Sequence, residues 1–250
     1  LSQYLKQTLS PYQLNPFDFN PLRNIVAECF DFGAVNAGTA PRLFLGATNV
    51  RTGRPKVFRQ PDIGVDAVMA SACLPFLFKA VEIEGEAYWD GGYMGTPPLL
   101  PRIHETDARD VVLIQVNPFV RNEVPTTAYE IENRLNEITF NGSLLKELRS
   151  IGFLWETIRR EGLEREAYRD ARLHRISAEE DMLALSVSSK LNAEREFLEY
   201  LREIGRRTAD DWVRQNLDLV GVETTWQPAY LFEESLQPAH LEDGARKPLP

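Results

Sequence analysis

The stretch Tyr88-Trp89-Asp90-Gly91-Gly92-Tyr93-Met94-Gly95-Thr96-Pro97-Pro98 constrains the chain most. One carboxylate is followed at once by two glycines, with a third glycine and two prolines close behind. Gly91 and Gly92 have access to backbone angles closed to other residues, and they admit a second chain segment close to the Asp. The prolines stiffen the exit. Asp90 is then held rigidly while its carboxylate stays open to a neighbour. Taken alone, Asp90-Gly91-Gly92 reads as a plain turn. The segments upstream give it more weight.

Those segments form a set. Leu43-Phe44-Leu45-Gly46-Ala47-Thr48-Asn49 is an apolar run of buried-strand length, Arg51 to Arg54 a turn, and Pro55 to Phe58 a short return strand. Asp62 caps a predicted helix carrying Val65, Val68, Met69 and Ala72, which stops at Pro75. Val81 to Trp89 is a hairpin turning at Glu84-Gly85, and it delivers Asp90. With Ala47-Thr48-Asn49 and Thr52-Gly53, then Ala70-Ser71-Ala72-Cys73-Leu74-Pro75-Phe76, then Asp90-Gly91-Gly92 and Pro97-Pro98, the chain resembles the patatin-like phospholipase family over about residues 10 to 118. The later helices are similar to the C-terminal extension of bacterial members.

The resemblance implies an α/β, layered fold with a mainly parallel central sheet whose N-terminal strands are missing, followed by a helical extension. It also implies ester hydrolysis by a Ser–Asp dyad, with no histidine between the two groups. Asp90 sits at the position of the dyad aspartate, and Gly91 and Gly92 at its base-loop backbone. No G-x-S-x-G elbow occurs in the 250 residues, and such an elbow is what exposes a nucleophilic serine. Ser71 and Ser143 lack the second glycine. The chain starts at Leu1, and the resemblance places the serine and the glycine-rich oxyanion loop upstream of it. The chain as given is therefore expected to be inactive alone.

Composition excludes several alternatives. A net charge of −9 argues against nucleic acid and against adhesion to anionic membranes. No apolar run approaches the roughly 20 residues that span a bilayer. A cytoplasmic protein, peripheral at a membrane at most, is expected. Cys29 and Cys73 are too few for a disulfide framework and read as two buried thiols. His104, His174 and His240 are scattered and form no metal motif. No cofactor and no metal are expected. A Ser-His-Asp triad would need one of these histidines, and His104 is nearest in sequence to Asp90, in a polar run that reads as an exposed loop.

Along the chain, Asn20 caps a helix from Pro21 to about Phe30, whose Leu22, Ile25, Val26 and Cys29 share one face. That face reads as core packing. The resemblance would put it beside an acyl groove. Val111 to Val116 is an apolar strand expected to be buried on both faces of a parallel sheet. From Thr126 the composition turns helical and charged. Thr127 and Glu130 form a capping box ahead of Ile131, Leu135 and Ile138. A second helix carries Leu145, Leu148, Ile151, Trp155 and Ile158, with Arg149, Arg159, Arg160, Arg165, Arg169, Arg172 and Arg175 balanced by acids on a solvated face. Arg172 to Ile176 reads as a strand, Ser177 to Glu180 as another capping box, and Phe197, Leu201, Ile204 and Trp212 as the stripe of a long helix from Asn192.

Three units follow: 1–125 as the C-terminal part of the acyl-hydrolase domain, 126–222 as the helical extension, and 223–250 as a mobile tail. The substrate is expected to be a lipid ester, met at a membrane surface in passing. The rival reading is a non-catalytic lipid-binding or regulatory module that kept the fold and lost the nucleophile. A weaker one makes residues 126 to 216 a helical interaction domain.

Overall fold

The computed structural model describes residues 9–38, 41–94, 99, 108–161, 171–185, 189 and 192–227, with backbone alone at 129 and 154–161. Gly95, Pro97, Pro98, His104, His240, Arg165, Arg169 and the tail from 228 lie outside the described residues. So do the side chains of Trp155, Ile158, Arg159 and Arg160.

Three short helices open the chain: α1 (Pro11–Leu14), α2 (Pro21–Cys29) and α3 (Phe32–Asn36). Asn20 caps α2, its side-chain oxygen accepting from Leu22 N at 3.2 Å, and Pro21 fills the first helical position, where a missing N–H costs nothing. The apolar face of α2 is not core. Val26 is buried, but Leu22 and Ile25 are exposed, and Cys29 is an exposed thiol.

Next come β1 (Phe44–Asn49), β2 (Pro55–Arg59), α4 (Val65–Ser71), β3 (Val81–Ile83) and β4 (Glu86–Asp90). They form one four-stranded sheet in the order β2-β1-β4-β3. Every pairing in it is antiparallel, so the expected mainly parallel sheet is not what the described residues form. Two tight turns set two of the three pairings, β1–β2 and β3–β4. Gly53 at φ 66° closes the first hairpin, and Glu84 and Gly85, at φ 52° and 79°, close the second. Positive φ at both central residues is the geometry whose twist matches paired strands, and a two-residue connection forces the strands to run opposite ways. Gly64, not Asp62, precedes α4 as its cap. Ala47, Phe58, Ile63, Ala67, Ala70 and Tyr88 pack between α4 and the sheet.

The second half of the chain holds β5 (Asp110–Gln115), α5 (Ala128–Glu161), β6 (Arg172–Ser177), α6 (Glu179–Leu183) and α7 (Arg195–Asn216). β5 and β6 pair in parallel. β5 is covered on one face only: Leu113 is buried while Val112, Ile114 and Val116 are exposed. Leu113, Phe119, Leu144, Leu148, Ile151, Leu173 and Trp226 make the core here, which runs across the compositional boundary at residue 125.

α5 is one continuous helix of 34 residues where the sequence suggested two. Its start is as expected. Thr127 Oγ1 accepts from Glu130 N at 3.2 Å, and Glu130 Oε2 accepts from Thr127 N and Thr126 N at 3.0 Å each. Those amides hold the Glu130 carboxyl below its ordinary range. The apolar stripe Ile131, Leu135 and Ile138 is exposed, however. The buried face instead runs Glu137, Asn141, Leu144, Leu148 and Ile151. Its polar members are satisfied, as buried polar groups must be. Glu137 pairs with Arg121 at 2.6 Å and Arg134 at 3.1 Å, and Asn141 Nδ2 donates to Pro118 O at 2.7 Å. Burial pushes the Glu137 carboxyl up, but the two arginines outweigh it and hold it below its ordinary value.

α6 begins after Ala178 without a side-chain cap, so the second predicted capping box does not form. Residues 223–227 are not loose. Thr225 N and Trp226 N both donate to Leu173 O at 3.1 Å, and the Arg175 guanidinium lies 5.1 Å over the Trp226 ring. No helix among the described residues is long and apolar enough to cross a membrane.

Candidate active site

Asp90 ends β4, opposite Ala47 of β1, and is half-buried. Three segments hold it. From β1, Thr48 Oγ1 donates to Asp90 O at 2.9 Å. From the segment after α4, Cys73 O accepts from Asp90 N at 2.8 Å. From its own turn, Gly92 N donates to Asp90 Oδ1 at 2.7 Å, a charge-assisted contact that orients the carboxylate.

Gly91, Gly92 and Tyr93 make a single 3₁₀ turn, with both glycines buried. Neither glycine has a positive φ, so unusual backbone angles are not why they are there. Close approach is the reason at Gly92. A Cβ on it would lie 2.2 Å from Cδ1 and Cε1 of Phe140 on α5, and 3.1 Å from Asp90 Oδ1. The same Phe140 ring packs on Tyr93, with centroids 5.0 Å apart.

The other motif residues act as supports. Asn49 Oδ1 accepts from Arg51 N, Thr52 N and Thr52 Oγ1 at 2.9–3.0 Å, and Asn49 Nδ2 donates to Glu86 at 2.9 Å. This ties the first hairpin to the strand that ends in Asp90. Ala70 is wholly buried and Ala47 nearly so, and their small side chains let α4 lie close on β1. Leu74 O accepts from Leu77 N and Phe78 N at 3.0 Å each, turning the chain sharply after Cys73.

Electrostatics follow burial. The Cys73 thiol is pushed up to about 11, mainly by desolvation, with the charges of Asp90 and Asp18 adding to it. It donates to Lys79 O at 3.1 Å and is a structural thiol, not a nucleophile. Burial also raises the Tyr93 phenol, helped by the charge of Asp90 and then by Cys73.

The three motifs on which the sequence resemblance rests thus meet at one aspartate. Residues 2–103 match the family model of the patatin-like phospholipases. No curated protein matches the chain. The matched region carries Asp90, Gly91, Gly92, Thr48 and Cys73. Phe140, on the glycine turn of the patatin-like region, lies beyond the match and gave no signal in the sequence beyond being an aromatic residue on a helix.

Of the histidines, only His174 falls among the described residues. It is fully buried, with Nε2 at 3.1 Å from Asp110 Oδ1 and Nδ1 at 2.9 Å from Thr225 Oγ1. Asp110 also receives Arg172 Nε at 2.9 Å, Arg172 Nη2 at 2.7 Å and Gly221 N at 2.9 Å. Beside this hydroxyl–imidazole–carboxylate row, Thr225 N and Trp226 N are both spent on Leu173 O. The row pins the segment after α7 to β5 and β6. Among the described residues no group of three or more His, Cys, Asp or Glu is placed to hold a metal. A shallow groove of about 410 Å³ on α7, lined by Glu203, Arg206, Arg207, Asp210, Asp211 and Arg214, includes none of the residues around Asp90 and is a face of mixed charge.

Proposed function

We propose that this chain is the C-terminal part of a patatin-like lipid acyl hydrolase and supplies Asp90 as the base of a Ser–Asp dyad. The observation that carries the reading is the convergence of Thr48, Cys73 and Gly92 on Asp90, within residues that match the family. In this reading the serine and its oxyanion donors lie upstream, and residues 126–222 form a helical extension of the domain in 1–125. The exposed Val112 and Ile114 on one face of β5, continued by Val116, support a layered fold in which a further layer covers that face.

The chemistry then runs in two balanced halves. The serine Oγ attacks the ester carbonyl carbon while Asp90 takes its proton, and the carbon–oxygen bond to the leaving alcohol breaks as Asp90 returns that proton. Water repeats the attack on the acyl-serine, again losing a proton to Asp90, and the fatty acid leaves as the serine recovers its proton. Asp90 is half-buried, and the Gly92 amide, donating to Oδ1, orients the carboxylate toward the serine proton it would take. The substrate is a lipid ester, met at a lipid surface.

One observation favours a second reading. With no G-x-S-x-G in 250 residues, the chain would also serve as a lipid-binding or regulatory module that never hydrolyses. Both readings predict that the 250-residue chain hydrolyses no ester above background and that a serine-directed fluorophosphonate leaves it unlabelled. Stoichiometric labelling of any serine here would sink both. The coding region upstream of Leu1 separates them: an in-frame G-x-S-x-G gives the enzyme, and a coding region without one gives the module.

A further inference from the structure

We infer that α5, through Phe140, is the positioning element of Asp90. The inference rests on the dyad reading for its catalytic meaning, but its geometry stands apart from it. The ring of Phe140 occupies the space a side chain at Gly92 would need, 2.2 Å from the ideal Cβ position. Gly92 N is the donor to Asp90 Oδ1 at 2.7 Å. The ring therefore closes the glycine turn from outside, excludes water from that amide, and strengthens its bond to the carboxylate by lowering the local dielectric.

Phe140 cannot easily turn away. One turn before it, Glu137 is clamped by Arg121 and Arg134. Next to it, Asn141 holds Pro118 O. One turn after it, Leu144 enters the core with Leu148 and Ile151. Tyr93 supplies a second ring against it. A helix outside the family match thus sets the carboxylate that the match contains, and truncating the chain before α5 removes that control.

The test reads the Gly92 amide in the ¹⁵N-labelled 250-residue chain by hydrogen exchange. F140A is expected to speed exchange at Gly92 by at least about tenfold, and F140L by about threefold, with amides of β5 and β6 unchanged. Gly92→Ala is expected to lower the melting temperature of the parent at least about twice as much as that of F140A, because removing the ring makes room for the new methyl. In the enzyme with its upstream serine, F140A should lower kcat by about 10- to 100-fold, as for a slightly misplaced catalytic group, with KM within about twofold. Unchanged Gly92 exchange in whichever Phe140 variant folds, or equal costs of Gly92→Ala in both backgrounds, would overturn the inference. If Gly92 responds as expected while Asp90→Asn leaves turnover intact, the positioning holds and the dyad reading fails.

Discussion

Asp90→Asn, in the enzyme with its upstream serine, is expected to lower kcat at least about a thousandfold, a loss of about 4 kcal/mol of transition-state stabilisation. Asparagine keeps the shape of the side chain and an oxygen for Gly92 N, so the turn and its contact with Phe140 should survive. What it loses is the ability to take a proton. The melting temperature should therefore move by no more than about 2 °C, less than about 1 kcal/mol for a chain of this size. The backbone groups of Asp90, tied to Cys73 O and Thr48 Oγ1, are untouched by the change. Retained turnover, measured with a fluorogenic acyl ester, would remove Asp90 from the mechanism.

The largest effect on stability is expected from Asp110→Ala. This carboxylate takes both prongs of Arg172, the ring of His174 and the amide of Gly221. It thereby joins β5, β6 and the turn after α7. His174 has no access to water, and Arg172 is only 22% exposed, so deleting the acid takes one hydrogen-bond partner from a buried imidazole and two charge-assisted contacts from a largely buried guanidinium. Breaking such a pair costs about 3 to 5 kcal/mol, or roughly 10 °C in melting temperature. The same site gives a pH dependence. Arg172 holds the Asp110 carboxyl far below its ordinary value, against a smaller upward push from burial, with Gly221 and His174 adding to the lowering. A carboxyl depressed in the folded state stabilises it above the unfolded pKa, about 4. That contribution is lost progressively as pH falls below about 4. Chemical denaturation at pH 7 and pH 3 should show the parent losing more stability than Asp110→Ala, while equal losses would mean that Asp110 is not the group responsible.

The sequence carried local features well and long-range ones poorly. Asn20-Pro21, Thr127 with Glu130, and Glu84-Gly85 were legible because each is a cap or turn whose partners lie within a few residues. So was the strand at Arg172 to Ile176, observed as β6. The hairpin turns at 51–54 and 84–85 already implied antiparallel neighbours, as found; the mainly parallel sheet was implied by the resemblance, and nothing local in 43–49 announces that β1 also pairs with β4. The buried face of α5 was missed for a different reason. Glu137 and Asn141 are polar, and only the arrival of Arg121, Arg134 and Pro118 O makes them inward-facing. Asp110, His174 and Thr225 lie far apart in sequence, and nothing in their spacing announces that they meet. At the candidate site the strand end and glycine turn at Asp90 were legible, and the close approach at Gly92 was half legible. The sequence required a close approach there, but Phe140 became visible only once the helix was folded against the turn.

The central claim is that Asp90 acts directly on a serine. Its most direct test is a crystal structure of the enzyme with its upstream segment, phosphonylated at the nucleophile. The account predicts that the modified serine Oγ lies within about 3.5 Å of the Asp90 carboxylate, close to the reach of a proton transfer, with no histidine between them. A phosphonylated serine more than about 6 Å from Asp90, or one hydrogen-bonded to His104 with Asp90 behind it, would contradict the dyad and establish a triad or a different base.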